Sequence, residues 1–234
     1  MFDRISNSRS RHETWTDFIT VTACAISNAV NPMESREKLY MDVVKKYAPD
    51  ELQRIAEATG RYFELVNANP FQDLLGDLYM RLELGNAAAG QFFTPYSICR
   101  MMADVEVDSA LAKIERDGWI SVNDCACGGG ATLIAMADAL YQRGCNYQQS
   151  CYFVGQDLIS ATAMMCYIQL SMLGCAGYVR VGNTLTDPDT GDMLFPDARS
   201  EKVWIMPMSY SAVWHGRRLA RRIDEVLSGG MRDG

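Results

Sequence analysis

Four short segments of this 234-residue chain carry residue types and spacings that could do chemistry. The first is Asp124-Cys125-Ala126-Cys127-Gly128-Gly129-Gly130. Successive glycines let a backbone bend sharply and approach a ligand with no Cβ in the way, and a helix behind them offers free N–H groups. Leu133 stands where a dinucleotide fingerprint needs its third glycine, and no Gly-Lys-Ser/Thr of a P-loop is present. The second segment is Gly155-Gln156-Asp157, whose acid can accept the two hydroxyls of a ribose or cap a helix. It comes 33 residues after Asp124, longer than the roughly 20 expected for a nicotinamide site. The third is Gly182-Asn183-Thr184-Leu185, where Asn183 could meet an adenine edge or simply make a turn. The fourth is Met206-Pro207-Met208-Ser209-Tyr210, with an aromatic ring able to stack on a base but no amide or carboxylate acceptor.

These segments need a scaffold that presents them together. From about residue 118 the pattern runs strand, turn, helix: WISVND before the glycines and ATLIAMADALYQRG after them, then CYFVGQD, ISATAMMCYIQLSMLG, YVRVGNT and KVWIMP. Strands alternating with helices of this length imply right-handed βαβ units and a parallel sheet covered on both faces. In such a sheet ligands bind beyond the carboxyl ends of the strands, and all four segments are expected there. Residues 11 to 86 read as helices. Leu52, Ile55, Thr59, Tyr62, Phe63 and Val66 form one stripe, with Asp50 expected as the N-cap and Asn69-Pro70 as the stop. A further helix is expected to carry Phe71, Leu74, Leu75, Leu78 and Leu82. The expected division is residues 1–88 as a helical segment and 89–234 as the α/β unit.

Charge and composition exclude several classes. Against 22 basic residues stand 29 acidic ones, a net charge of −7, so bulk charge gives no nucleic-acid binding and any such contact must be local. Arg217, Arg218, Arg221 and Arg222 form the one basic run, suited to phosphate, an acidic partner or plain solvation. No apolar run reaches the roughly 18 residues of a membrane span, and no export signal precedes the first helix, so the expectation is a cytoplasmic chain. The eight cysteines sit mostly in apolar runs without C-x₂-C pairs, and the two histidines lie far apart, so free thiols and no metal are expected.

In order along the chain, GQFFTP (Gly90 to Pro95), DCACGGG, GQD and GNTL resemble the adenine-N6 DNA methyltransferases of the type I restriction–modification modification-subunit family. The resemblance spans about residues 70 to 210. It implies a class I S-adenosylmethionine-dependent methyltransferase fold, a Rossmann-like sheet with strand order beginning 3-2-1-4, and methylation of DNA together with a specificity or longer methyltransferase subunit. By resemblance, Gln91, Phe92, Phe93, Thr94 and Pro95 would line the methionine end of S-adenosylmethionine. Asp124, Cys127, Gly128, Gly129 and Gly130 would run beside its amino-acid and sulfonium region, Asp157 would hold the ribose, and Asn183 would meet the adenine. The family then carries [DNS]-P-P-[YFW], whose polar residue and proline carbonyl accept the amino hydrogens of a flipped-out adenine. Here Met206, Pro207, Met208 and Ser209 occupy those positions, with Tyr210 one residue late. The expected function is therefore a DNA adenine methyltransferase with a degenerate catalytic motif, ending after the fourth strand. The alternative is an inactive relative that binds S-adenosylmethionine or a partner.

Overall fold

The computed structural model describes residue 5, residues 8–82, residue 84 and residues 93–229. Four helices come first: α1 (Arg11–Asn28), α2 (Glu34–Val44), α3 (Pro49–Ala68) and α4 (Leu74–Arg81). Ser10 and Glu13 form a reciprocal capping box at the start of α1. α3 begins with Pro49 at its first position, two residues earlier than the sequence pattern implies. Asp50 therefore lies in the first turn and pairs with Arg54 at 2.7 Å instead of capping the helix. The helix ends at Asn69, the residue that Pro70 keeps out of the α region. α4 starts at Leu74 with Asp73 as its cap, so Phe71 precedes the helix and packs its ring against Tyr141 and Tyr147.

The α/β part begins with α5 (Tyr96–Asp117), which ends on Gly118, and continues through β1 (Ile120–Asp124), α6 (Ala131–Gln142), α7 (Tyr147–Ser150), β2 (Cys151–Asp157), α8 (Ser160–Met172), β3 (Ala176–Val181), β4 (Val203–Ile205) and α9 (Ala212–Gly229). α6 and α8 are buried along nearly their whole length because each is enclosed on several sides. α8 lies on β2 and β3 with α1 and α4 against its outer side, while α6 is held between β1 and α5. The opposite face of the sheet, with Tyr152, Val154, Tyr178 and Ile205, is covered by Trp214 of α9 and by Leu194 of the long β3–β4 connection.

The sheet departs from the expected one. Its order is β1-β2-β3-β4, with β1, β2 and β3 parallel and β4 antiparallel on the edge of β3. The order beginning 3-2-1-4 would put β4 beside β1, where instead the outer edge of β1 carries no strand among the described residues. The reason lies in the connection. A parallel strand needs a crossover, usually a helix, whereas an antiparallel neighbour needs only a return. Residues 182–202 contain no helix. They fold back beside β3, fixed by an Arg180–Asp187 ion pair at 2.7 Å and by the buried Gln156 amide, which bonds Asp187 O and Asp189 N.

Candidate functional site

The loop after β1 is shaped by two glycines. Gly128 has φ +51° and Gly130 has φ +94°. At Gly130 a Cβ would also sit 2.8 Å from the Cys166 sulfur, so neither conformation nor space admits a side chain. Asp124 ends the strand and organises the turn: its carboxylate accepts Ala126 N–H at 3.0 Å and the Thr132 hydroxyl of α6. Cys127 N–H bonds Gln156 O at 3.0 Å, tying the turn to β2. The Cys127 thiol is buried against Cys166, and that contact together with burial pushes its pKa well up, so it acts as packing and not as a nucleophile. Cys125, by contrast, is exposed, and its carbonyl accepts the Thr184 hydroxyl.

Asp157 supports this turn from behind. Its Oδ2 accepts Gly128 N–H at 2.9 Å, while Oδ1 accepts Ile159 N–H at 2.9 Å and the Thr162 hydroxyl at 2.7 Å at the start of α8. One carboxylate thus reaches the glycine turn and caps a helix together, with lone-pair capacity left on Oδ2. Gly182 N–H bonds Asp157 O, which brings the third segment alongside. Asn183 uses its own Oδ1 to accept Leu185 N–H at 2.9 Å, an Asx turn.

A cavity of about 530 Å³ opens between this turn, α5 and α6. Phe93, Thr94, Asp124, Cys127, Gly128 and Gly129 line it, so the structure brings these sequence candidates together. Gly130, Asp157 and Asn183 stand outside its wall, and Pro95 lines a neighbouring cleft with Thr94. Gln91 and Phe92 lie outside the described residues. Phe93 stacks on Tyr79 of α4 with ring centres 5.3 Å apart. The ionisable residues of the cavity wall are Asp73, Glu106 and Asp124 with the thiols of Cys99, Cys125 and Cys127; no Lys, Arg or His belongs to it among the described residues.

Two residues that sequence reasoning passed over hold this wall in place. Asp73 Oδ1 accepts Gly76 N–H at 3.0 Å, and Gln169 of α8 donates through Nε2 to Asp73 Oδ1 at 2.7 Å and to Gly129 O at 2.8 Å. The other end of that amide, Oε1, accepts Leu75 N–H at 3.0 Å. Both side chains are buried, and burial pushes the Asp73 carboxyl up, with the bonds from Gln169 and Gly76 pulling the other way. A signal existed for each. Asp73 is an N-cap type with glycine three residues on, and Gln169 is a lone amide inside a helix that is otherwise nearly all apolar.

The fourth segment is elsewhere. Because β4 runs antiparallel, its carboxyl end lies at the amino end of β3, where Met206 N–H bonds Gly177 O at 2.9 Å. That is four residues along β3 from Val181, roughly 13 Å from the carboxyl end that faces the glycine turn. Pro207, Met208, Ser209 and Tyr210 form a single 3-10 turn. Ser209 Oγ both accepts Gly177 N–H at 2.6 Å and donates to Gly177 O at 2.8 Å, buried, while Tyr210 is half exposed. The expectation that residues 206–210 sit with the other three segments is overturned by this reversal of strand direction.

The basic run of α9 is folded onto the protein. Arg217 lies 4.4 Å over the Trp214 ring and bonds Gly118 O, Arg218 bonds Ser209 O at 2.6 Å, Arg221 faces Asp192 and Glu225, and Arg222 lies over Phe195. Among the described residues there is no cluster of three or more metal-binding side chains, and no helix is long and apolar enough to cross a membrane.

Residues 71–223 match a family model described as N-6 DNA methylase. No curated protein and no solved structure matches the chain.

Proposed function

The chain belongs to the N-6 DNA methylase family, and from that premise we propose that it binds S-adenosylmethionine beside the glycine turn and serves as an adenine-specific DNA methyltransferase unit of type I restriction–modification kind. The observation that carries the cofactor reading is the cavity itself: a glycine turn on one side and fixed charge that is wholly acidic, from Asp73, Glu106 and Asp124. Such a wall suits a ligand with positive charge and disfavours the phosphates of a dinucleotide. When bound, the cofactor supplies an electrophilic methyl group. The chain's own residues do the rest. Asp157 offers the spare capacity of Oδ2 to a ribose hydroxyl. Asp124, Cys127 and Gly128–Gly130 frame the amino-acid end and Phe93 to Pro95 close the methionine side, with Gln91 and Phe92, and Asn183 for the adenine, assigned by resemblance.

Residues 89–234 would then be the methyltransferase-like unit, Rossmann-like in its three parallel strands, and 1–88 its helical annex. The arginines of α9 are occupied within the chain, so DNA contact is assigned to a specificity or longer methyltransferase subunit in the cytoplasm. A second reading, binding without transfer, is favoured by one observation: Met206–Tyr210 lie at the far end of the sheet from the cavity and present no amide acceptor.

Calorimetric titration of S-adenosylmethionine into the purified chain tests the cofactor. Saturable one-to-one binding supports the reading, and a folded chain that binds none overturns it. Transfer of labelled methyl groups to unmethylated DNA, with and without a specificity subunit, then separates the two readings.

A further inference from the structure

We propose that Asp73 makes the cavity read charge, so that it holds the cationic methyl donor more tightly than the neutral thioether left after transfer. This rests on the cofactor reading above. Of the three carboxylates on the wall, Glu106 is exposed and Asp124 is half-buried with its oxygens engaged by Ala126 and Thr132. Asp73 is 8% exposed and, among the described residues, forms no ion pair. A charge that water screens poorly acts furthest, and a buried carboxylate without a counter-cation is costly to maintain in an empty site. A cation in the cavity removes that cost.

The carboxylate is also held still. Gly76 N–H and Gln169 Nε2 both bond Oδ1, and the same Nε2 bonds Gly129 O, so the acid is fixed against the glycine turn. Its position requires glycine at residue 76, where a Cβ would come within 2.1 Å of the Asp73 carboxylate oxygen. A dipole or charge that needs no reorganisation on binding acts at full strength. Methyl transfer breaks the sulfur–methyl bond and forms a nitrogen–methyl bond; the electron pair of the broken bond stays on sulfur, which becomes neutral, and the amino group releases a proton to solvent. The positive charge is therefore lost next to Asp73, which weakens retention of the product and favours exchange for fresh donor.

The test is equilibrium binding of S-adenosylmethionine, S-adenosylhomocysteine and sinefungin, which keeps an ammonium group near the sulfonium position, to the full chain and to Asp73→Asn. Asparagine preserves an acceptor for Gly76 and Gln169 and removes the charge. The expected result is a roughly tenfold fall in the preference for S-adenosylmethionine over S-adenosylhomocysteine, with sinefungin following the donor, while the melting temperature of the free variant rises. An unchanged preference in a folded variant overturns the role of Asp73. Failure of all three ligands to bind the parent chain overturns the cofactor reading instead. Asp73→Ser, which also keeps a cap acceptor, repeats the comparison should the asparagine variant not fold.

Discussion

At the carboxyl ends of β1 and β2 the chain turns through Gly128–Gly130 and leaves a cavity of about 530 Å³, whereas at the amino end of β3 Ser209 closes over Gly177. Both ends use a glycine at positive φ and a buried polar side chain that satisfies backbone groups. The difference is where the spare bonding capacity points. Ser209 spends its one O–H and an accepted bond on both polar groups of one residue, buried and uncharged. At the other end Asp73 is engaged by donors from the chain yet lines the cavity with a carboxylate that a ligand can still meet. A fold distinguishes a seam from a site by that surplus and not by burial alone.

Substitutions at the two ends should separate these roles. The largest effect is expected at the closed end: Gly177→Ala places a Cβ 1.7 Å from Phe153 O and should cost roughly 4 kcal/mol or more, read as loss of the cooperative denaturation transition. Gly130→Ala combines φ +94° with the 2.8 Å approach to the Cys166 sulfur. It should cost about 2–3 kcal/mol and abolish S-adenosylmethionine binding in a calorimetric titration. Next comes a pair that tests the comparison directly. Ser209→Ala strands Gly177 N–H, and Gln169→Leu strands Leu75 N–H and Gly129 O; each should lose about 1–3 kcal/mol in urea unfolding, but only the second should also weaken cofactor binding. Equal effects on binding would erase the distinction between seam and site. Asp157→Ala should weaken S-adenosylmethionine by about 1.5–3 kcal/mol through loss of a charge-assisted acceptor, and an unchanged affinity would move the ribose elsewhere.

The smallest effect is a pH dependence. Burial raises the folded pKa of Asp73 above its ordinary value of 3.8, so its contribution to stability is present below that value and is lost as pH climbs through the folded pKa. Asp73→Asn mimics the protonated acid throughout. The two chains should match in stability at low pH, and a gap in favour of the variant should open as pH climbs through the folded pKa in melts across the range.

Much of this arrangement was legible in the residues. The alternation from β1 to β3 and the stop at Asn69-Pro70 are local signals, and the structure agrees with them. α5 was not legible because its pattern has no single apolar face: Cys99, Ala103 and Val107 are buried while Ile98, Met101 and Val105 are exposed. The side of β4 was illegible for another reason. Three residues carry no register signal, and direction was decided by a helix-free return stapled through Gln156 and Arg180, contacts that span 31 and 7 residues. Within the site, the turn and its acids announced themselves by type. Asp73 and Gln169 signalled only a helix cap and a buried amide, because their pairing depends on α4 meeting α8 across 96 residues of chain.

The Gln169 amide has a consequence for how the molecule comes apart. Its donors and its acceptor bind the first turn of α4, the cap before it and the glycine turn at once, so no one of these can open without leaving a buried group unmatched in the others. A displacement of α4 therefore breaks bonds that also hold the glycine turn, and hydrogen exchange is expected to show the two opening together.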